Sequence, residues 1–134
     1  LSFIVYNPNP YVKTNAGDCT IRAISKVMGY DWEKTYAELC VYGLMMGDMP
    51  SANSVWGTYL IDHGFEEYSL IRRCKECYTL RNFCDDFPEG IYVVGTDNHA
   101  IAVINGNYYD SYDSGDVNPT YYFKKIEEVH KQDE

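Results

Sequence analysis

The chain is poor in basic residues and has no long apolar run. Lys plus Arg number 11 against 20 Asp plus Glu, a formal net charge of −9 over 134 residues. Such a surface repels a phosphate backbone, and no basic run offsets it, so no nucleic-acid partner is expected. No stretch approaches the roughly 18–20 consecutive apolar residues of a bilayer-spanning helix, so no membrane partner is expected either. The opening "LSFIVYNPNP" lacks the basic and apolar regions of a secretory signal. Internal repeats, low-complexity blocks and linkers are absent, and the length suits one domain, 1–134, with a core of its own. The motif "CKEC" (Cys74 to Cys77) has no second C-x-x-C to complete it, so neither zinc nor a local disulfide is expected, and no cofactor is called for. Five cysteines at irregular spacing argue against a disulfide framework and for a reducing, cytoplasmic compartment.

The apolar residues that are present fall into two textures. From Cys19, Ile21, Ile24, Val27 and Met28 recur at helical spacing until Gly29. Asp31 can cap a second helix, "WEKTYAELCVYGLMM", which Gly47 closes, with Cys40 on its apolar side. Asn53 can cap a third, "SVWGTYLIDH", and Thr79 a short fourth, "YTLRNFCDDF". Strands are expected at "SFIVY", "FEEYSLI", "GIYVVGT", "HAIAVI", "NYYDSYD" and "TYYFKKI". Asn105-Gly106 between the fourth and fifth is a strong hairpin signal. Helices followed by an antiparallel sheet make an α+β domain. The fourteen tyrosines suit the rim of a small core, and the tail "IEEVHKQDE" is expected to fray.

Chemistry concentrates in two places. In "NAGDCTIRAIS" a thiol, Cys19, stands at a helix start, where free backbone N–H groups and the helix dipole favour thiolate and can bind an oxyanion. Gly17 before it lets the chain turn sharply. A nucleophilic thiol needs a base. His63 closes a helix and suits a capping role there, and His130 lies in the polar tail. His99 opens "HAIAVI" beside the turn-like "GTDN", at the mouth of the sheet. With a two-residue Asn-Gly turn, Ile101 faces Asp110, so Asp110 shares a face with His99, one diagonal step away. A turn of three or five residues flips the parity and gives the role to Asp113. Together with Asp116, these form the acidic stretch "DSYDSGD", which lacks the ligand pattern of a calcium loop. Trp56 and Tyr59 can line a substrate groove or fill the core.

"GDCTIRAIS" followed by "HAIAVINGNYYDSYDSGD" resembles the papain-like cysteine peptidase superfamily, its small bacterial and phage members in particular. The resemblance spans about residues 15 to 125. It implies a papain-like fold with N-terminal helices on a C-terminal antiparallel sheet. It also implies Cys19 as nucleophile, His99 as base, Asp110 as orienting acid and a bacterial or host-cell cytoplasm. Lys13 stands where the family often carries an oxyanion-hole glutamine, and Asn15 is the nearest amide that can substitute. The implied activity is thiol-dependent cleavage of an amide, peptide or isopeptide bond in a peptide or protein substrate. Acyl transfer by the same residues and a non-catalytic interaction module are the alternatives.

Overall fold

In the computed structural model, residues 1–12, 16–70 and 75–126 are described. Lys13, Asn15, Cys74, Arg72-Arg73, His130 and the rest of the tail from 127 lie outside them. Strand β1 (Ser2–Val5) comes first, then helices α1 (Cys19–Met28), α2 (Trp32–Met46) and α3 (Asn53–Asp62). Strand β2 (Phe65–Ser69), helix α4 (Leu80–Asp86) and strands β3 (Ile91–Gly95), β4 (Ala100–Ile104), β5 (Asn107–Asp110) and β6 (Tyr121–Lys125) complete the chain. The domain is α+β, with one six-stranded sheet in the order β1-β5-β4-β3-β6-β2. No helix among the described residues is long and apolar enough to cross a membrane.

The helix boundaries follow from local chemistry. Asp31 accepts the Lys34 N–H at the start of α2, and Thr79 and Asn82 form a reciprocal capping box on α4. Gly29 and Gly47 end α1 and α2 in the left-handed region, at φ 70° and 71°. The cap of α3 differs from expectation. Ala52 is the capping residue, and the Asn53 side-chain oxygen Oδ1 instead accepts the Trp56 indole N–H at 3.1 Å. His63 closes α3 as expected: its Nδ1 lies 2.6 Å from the Tyr59 carbonyl, and its ring stacks on Tyr59.

The sheet is not wholly antiparallel. β1 runs parallel to β5, with Ser2 opposite Asn107 and Val5 opposite Asp110. Four helices and three strands separate the two strands in sequence, so no hairpin dictates their sense. Every other pairing is antiparallel. The sheet is covered on both faces, which explains why β3 and β4 read as continuous apolar runs. Val93, Ala100, Ala102 and Phe123 pack with Ile24, Leu39, Trp56 and Leu60 of α1–α3. Val94, Ile101, Val103 and Tyr108 pack with Leu80, Phe83 and Cys84 of α4. On β4 the small residues face α1 and the large ones face α4, so α1 can lie close to the sheet.

The β4–β5 turn has the two-residue form read from the sequence. Ile104 pairs with Asn107, Val103 with Tyr108 and Ala102 with Tyr109. Asn105 and Gly106 take φ values of 50° and 77°, the mirror-image turn that matches strand twist. A side chain on Gly106 would meet only ordinary van der Waals neighbours, so its constraint is conformational. Gly106→Val is expected to lower unfolding free energy by about 1–2 kcal/mol, the cost of a β-branched residue at positive φ. Gly106→Asn, which tolerates that region, should cost distinctly less in the same urea titration.

Candidate active site

The α1 N-terminus, the β3–β4 turn and the C-terminal end of β5 converge on one point. Residues Thr96 to His99 link β3 to β4, and the Thr96 N–H donates to the His99 carbonyl at 2.8 Å. That closure fixes His99 at the head of β4. Its Nε2 lies 2.6 Å from Asp110 Oδ2. The Cys19 thiol adjoins the same ring, and each shifts the other's titration, the ring's upward and the thiol's downward. With Nε2 held by Asp110, Nδ1 is the nitrogen left for the sulfur. Cys19, His99 and Asp110 therefore form a continuous line. Tyr112 lies beside the imidazole, with ring centroids 5.5 Å apart.

The register decides which carboxylate reaches the imidazole. Asp110 does, and Asp113, the alternative, does not. Asp113 accepts the Tyr108 hydroxyl at 2.5 Å and the Gly115 N–H at 3.0 Å, and pairs with Arg81 at 3.2 Å. Asp116 also bonds to Arg81. Arg81 and Leu80 donate their backbone N–H groups to Gly115 and Val117. The loop after β5 is thus pinned to the start of α4, and this presents Ser114, whose hydroxyl donates to Asp110 Oδ2 at 2.6 Å.

Asp110 is fully buried and anchored from four sides. Besides His99 and Ser114, its Oδ1 accepts the Ser111 N–H at 2.7 Å and lies 3.0 Å from Arg22. Arg22 is itself buried and donates to Asp18 Oδ1 at 2.6 Å. The other Asp18 oxygen accepts the Trp32 indole N–H at 2.9 Å and the Asn9 amide at 3.3 Å. Sequence reading passed over Asp18, Arg22 and Ser114. The available signal was the four-residue spacing of Asp18 and Arg22 around the thiol, which puts both charges on one helix face.

This network also shapes the surroundings of Cys19. Asp18 occupies the capping position of α1 by type and place, yet its side chain makes no cap. Its carboxylate is turned to Arg22, Trp32 and Asn9, so it leaves the first-turn N–H groups to an incoming anion. Burial pushes the Cys19 thiol up. The His99 hydrogen bond, the Ala100 N–H and the positive charges of His99 and Arg22 outweigh burial and hold it below its ordinary value. Burial pushes His99 down, but its bonds to Asp110 and Cys19 and their charges raise it to about 9. Asp110 is pushed up by burial and drawn lower overall by His99, Ser114 and Arg22.

Two clefts meet at the thiol. One, of about 310 Å³, includes Trp56, Thr96, Asp97 and Tyr121; the other, of about 350 Å³, includes Ala16, Ser111 and Tyr112. Gly17, Cys19, Asn98 and His99 line both. Gly17 does not take a positive φ, so the turn does not use its conformational freedom, and a side chain there would meet open space. Of the two aromatics read as groove residues, Trp56 lines the first cleft with the edge of a buried ring. Tyr59 does not line it: it is fully buried and donates its hydroxyl to Glu38. Asn15 lies outside the described residues.

The remaining cysteines stand apart. Cys84 is buried, and burial first and the Asp85 charge second push its thiol up to about 12. Cys40, expected in the core, is half-buried. Cys77 is disulfide-bonded, against the expectation for "CKEC". Among the described residues no group of three or more His, Cys, Asp and Glu side chains is placed to hold a metal ion. Comparisons with known protein families, with curated proteins and with solved structures found no match.

Asp110→Asn would leave buried Arg22 with one carboxylate where it now has two. Loss of one partner from a buried charge pair predicts a drop of about 3 kcal/mol in unfolding free energy. Asp113→Asn keeps an oxygen acceptor for Tyr108 and Gly115 and loses only the charge that faces Arg81 on the exposed side of the loop. It should therefore lower the melting temperature far less than Asp110→Asn and leave the reactivity of Cys19 near wild type. Thermal melts and thiol labelling of the two variants side by side test this division.

Proposed function

We propose that this chain is a thiol hydrolase of the papain-like kind, cleaving an amide, peptide or isopeptide bond. The observation that carries this reading is the Cys19–His99–Asp110 line, set at an uncapped helix N-terminus where two clefts meet. Neither a core thiol nor a solvated histidine needs that arrangement.

The geometry supports a two-stage reaction. His99 holds the Cys19 proton as imidazolium, and the thiolate attacks the carbonyl carbon of a substrate lying across both clefts. The carbonyl oxygen becomes negative and is met by the free N–H groups of the first turn of α1. As the C–N bond breaks, His99 gives its proton to the leaving amine. Water, deprotonated by the now neutral imidazole, attacks the acyl-enzyme and releases the carboxylic acid, and the proton returns to the Cys19–His99 pair. Asp110 keeps the tautomer and orientation of the ring and stabilises its cationic form.

The pH dependence follows from the shifts. His99 is raised, so the imidazolium is favoured below about pH 9 and lost as the pH climbs through it. Cys19 is lowered, so thiolate persists below the ordinary thiol range. Alkylation of Cys19 by iodoacetamide should therefore be fast well under pH 8. In His99→Ala the thiol keeps its burial, the Ala100 N–H and the Arg22 charge but loses the imidazole, and the rate profile should move to higher pH. Superimposable profiles for the two proteins, with labelling mapped to Cys19 by mass spectrometry, would overturn the ion pair and the hydrolase reading with it.

A further inference from the structure

The two clefts at Cys19 differ in charge. Among the described residues, the 310 Å³ cleft has one residue of formal charge on its walls outside the Cys19–His99 pair, Asp97. Asp97 is exposed in the Thr96–His99 turn, and its carboxylate has no hydrogen bond or ion pair among the described residues. Among the described residues no lysine or arginine lines this cleft. Arg22 borders the other one, but it is buried and bound to Asp18 and Asp110. A second carboxylate acts on the same wall. Burial first, then the charges of Glu67, Cys19 and Asp97, push Tyr121 up to about 12. The Tyr121 hydroxyl is therefore neutral, and the charges that act on it among the described residues are negative.

The shape of the cleft agrees with its charge. Trp56 and Tyr121 supply aromatic walls, with ring centroids 6.1 Å apart. Gly95 makes room for this: a side chain there would collide with the Tyr121 ring. Aromatic surface beside an unpaired carboxylate suits a long side chain with an apolar stem and a cationic head. An acidic group placed there would meet Asp97 with nothing to neutralise it.

We propose that this cleft receives a lysine or arginine side chain of the substrate, next to the bond that Cys19 attacks, and that Asp97 sets the preference. The proposal rests on the thiol-hydrolase reading and deepens it by naming the substrate class. Asp97 is a specificity residue: it takes no part in proton transfer, and as it bonds to nothing, Asp97→Asn removes its charge without removing a fold contact.

The test reads charge selectivity at Cys19 without needing turnover. Labelling rates at Cys19 are measured with 2-bromoethylamine (cationic), iodoacetamide (neutral) and iodoacetate (anionic), for wild type, Asp97→Asn and Asp97→Lys, mapped by mass spectrometry. Each rate is normalised to that of a small free thiol. One charge a cleft's width away in water-like dielectric changes the rate of a singly charged reagent by about twofold. The normalised cation-to-anion ratio should therefore fall about fourfold in Asp97→Asn and further in Asp97→Lys. The effect should shrink at 1 M salt, where the screening length is about 3 Å. A Cys19 that labels rapidly with the same ratio in all three proteins overturns the substrate class and leaves the hydrolase reading standing. A Cys19 no more reactive than a free thiol overturns both.

Discussion

The guanidinium of Arg22 sits between two buried carboxylates, and the geometry at Cys19 depends on that placement. Asp18 immediately precedes the thiol, and Asp110 holds the imidazole. One cation thus ties the first turn of α1 to the end of β5 across the sheet edge. Burying three charges is costly, and the arrangement persists only because the carboxylates are also bonded by Trp32, Asn9, Ser111, Ser114 and His99. Removing any one partner leaves a charge exposed to an apolar surrounding. The network is correspondingly rigid, and the proposed chemistry at Cys19 and His99 needs such a support.

The scaffold around it works by close approach. Ala100 and Ala102 let α1 lie near β4, and the Ala100 N–H reaches the Cys19 sulfur. On the far face, α4 holds the loop after β5 through Arg81 and two backbone bonds, and this loop carries Ser114 to Asp110. The acidic stretch after β5 therefore divides its labour. Asp110 goes inward to the imidazole, and Asp113 and Asp116 go outward to Arg81. Neither outward residue is idle: they shape the loop that supplies the fourth bond to Asp110.

The six strands, the four helices and the Asn105-Gly106 turn were legible because each has a local cause: periodicity, a cap or a turn residue. From that turn followed the face shared by His99 and Asp110, since side-chain parity carries along a strand. The parallel pairing of β1 was not legible, because nothing local determines which distant strand an edge strand joins, or in which sense. Nor was the role of Arg22. An arginine on a helix reads as surface charge until the tertiary fold puts a second carboxylate beside it. Asn53 misled for a related reason: its side chain had two possible donors, the helix end and the Trp56 indole, and packing chose the indole. Tyr59 was ambiguous between groove and core, and its hydroxyl found Glu38 inside the protein.

The number of partners on Asp110 bears on how the proposed chemistry is divided. A carboxylate with one partner, an imidazole, could compete for the shared proton as that ring becomes cationic. Asp110 instead spreads its charge over His99, Ser114, Ser111 and Arg22, and it is held below the usual carboxylate range despite burial. It therefore stays ionised while His99 carries the proton. Its effect on the ring is orientation and stabilisation of the positive form. Proton traffic is then confined to the other side of the imidazole, between His99 and whatever occupies the position of the Cys19 sulfur. That separation lets one histidine serve first as acid toward a leaving amine and then as base toward water, with no second titrating group in the path.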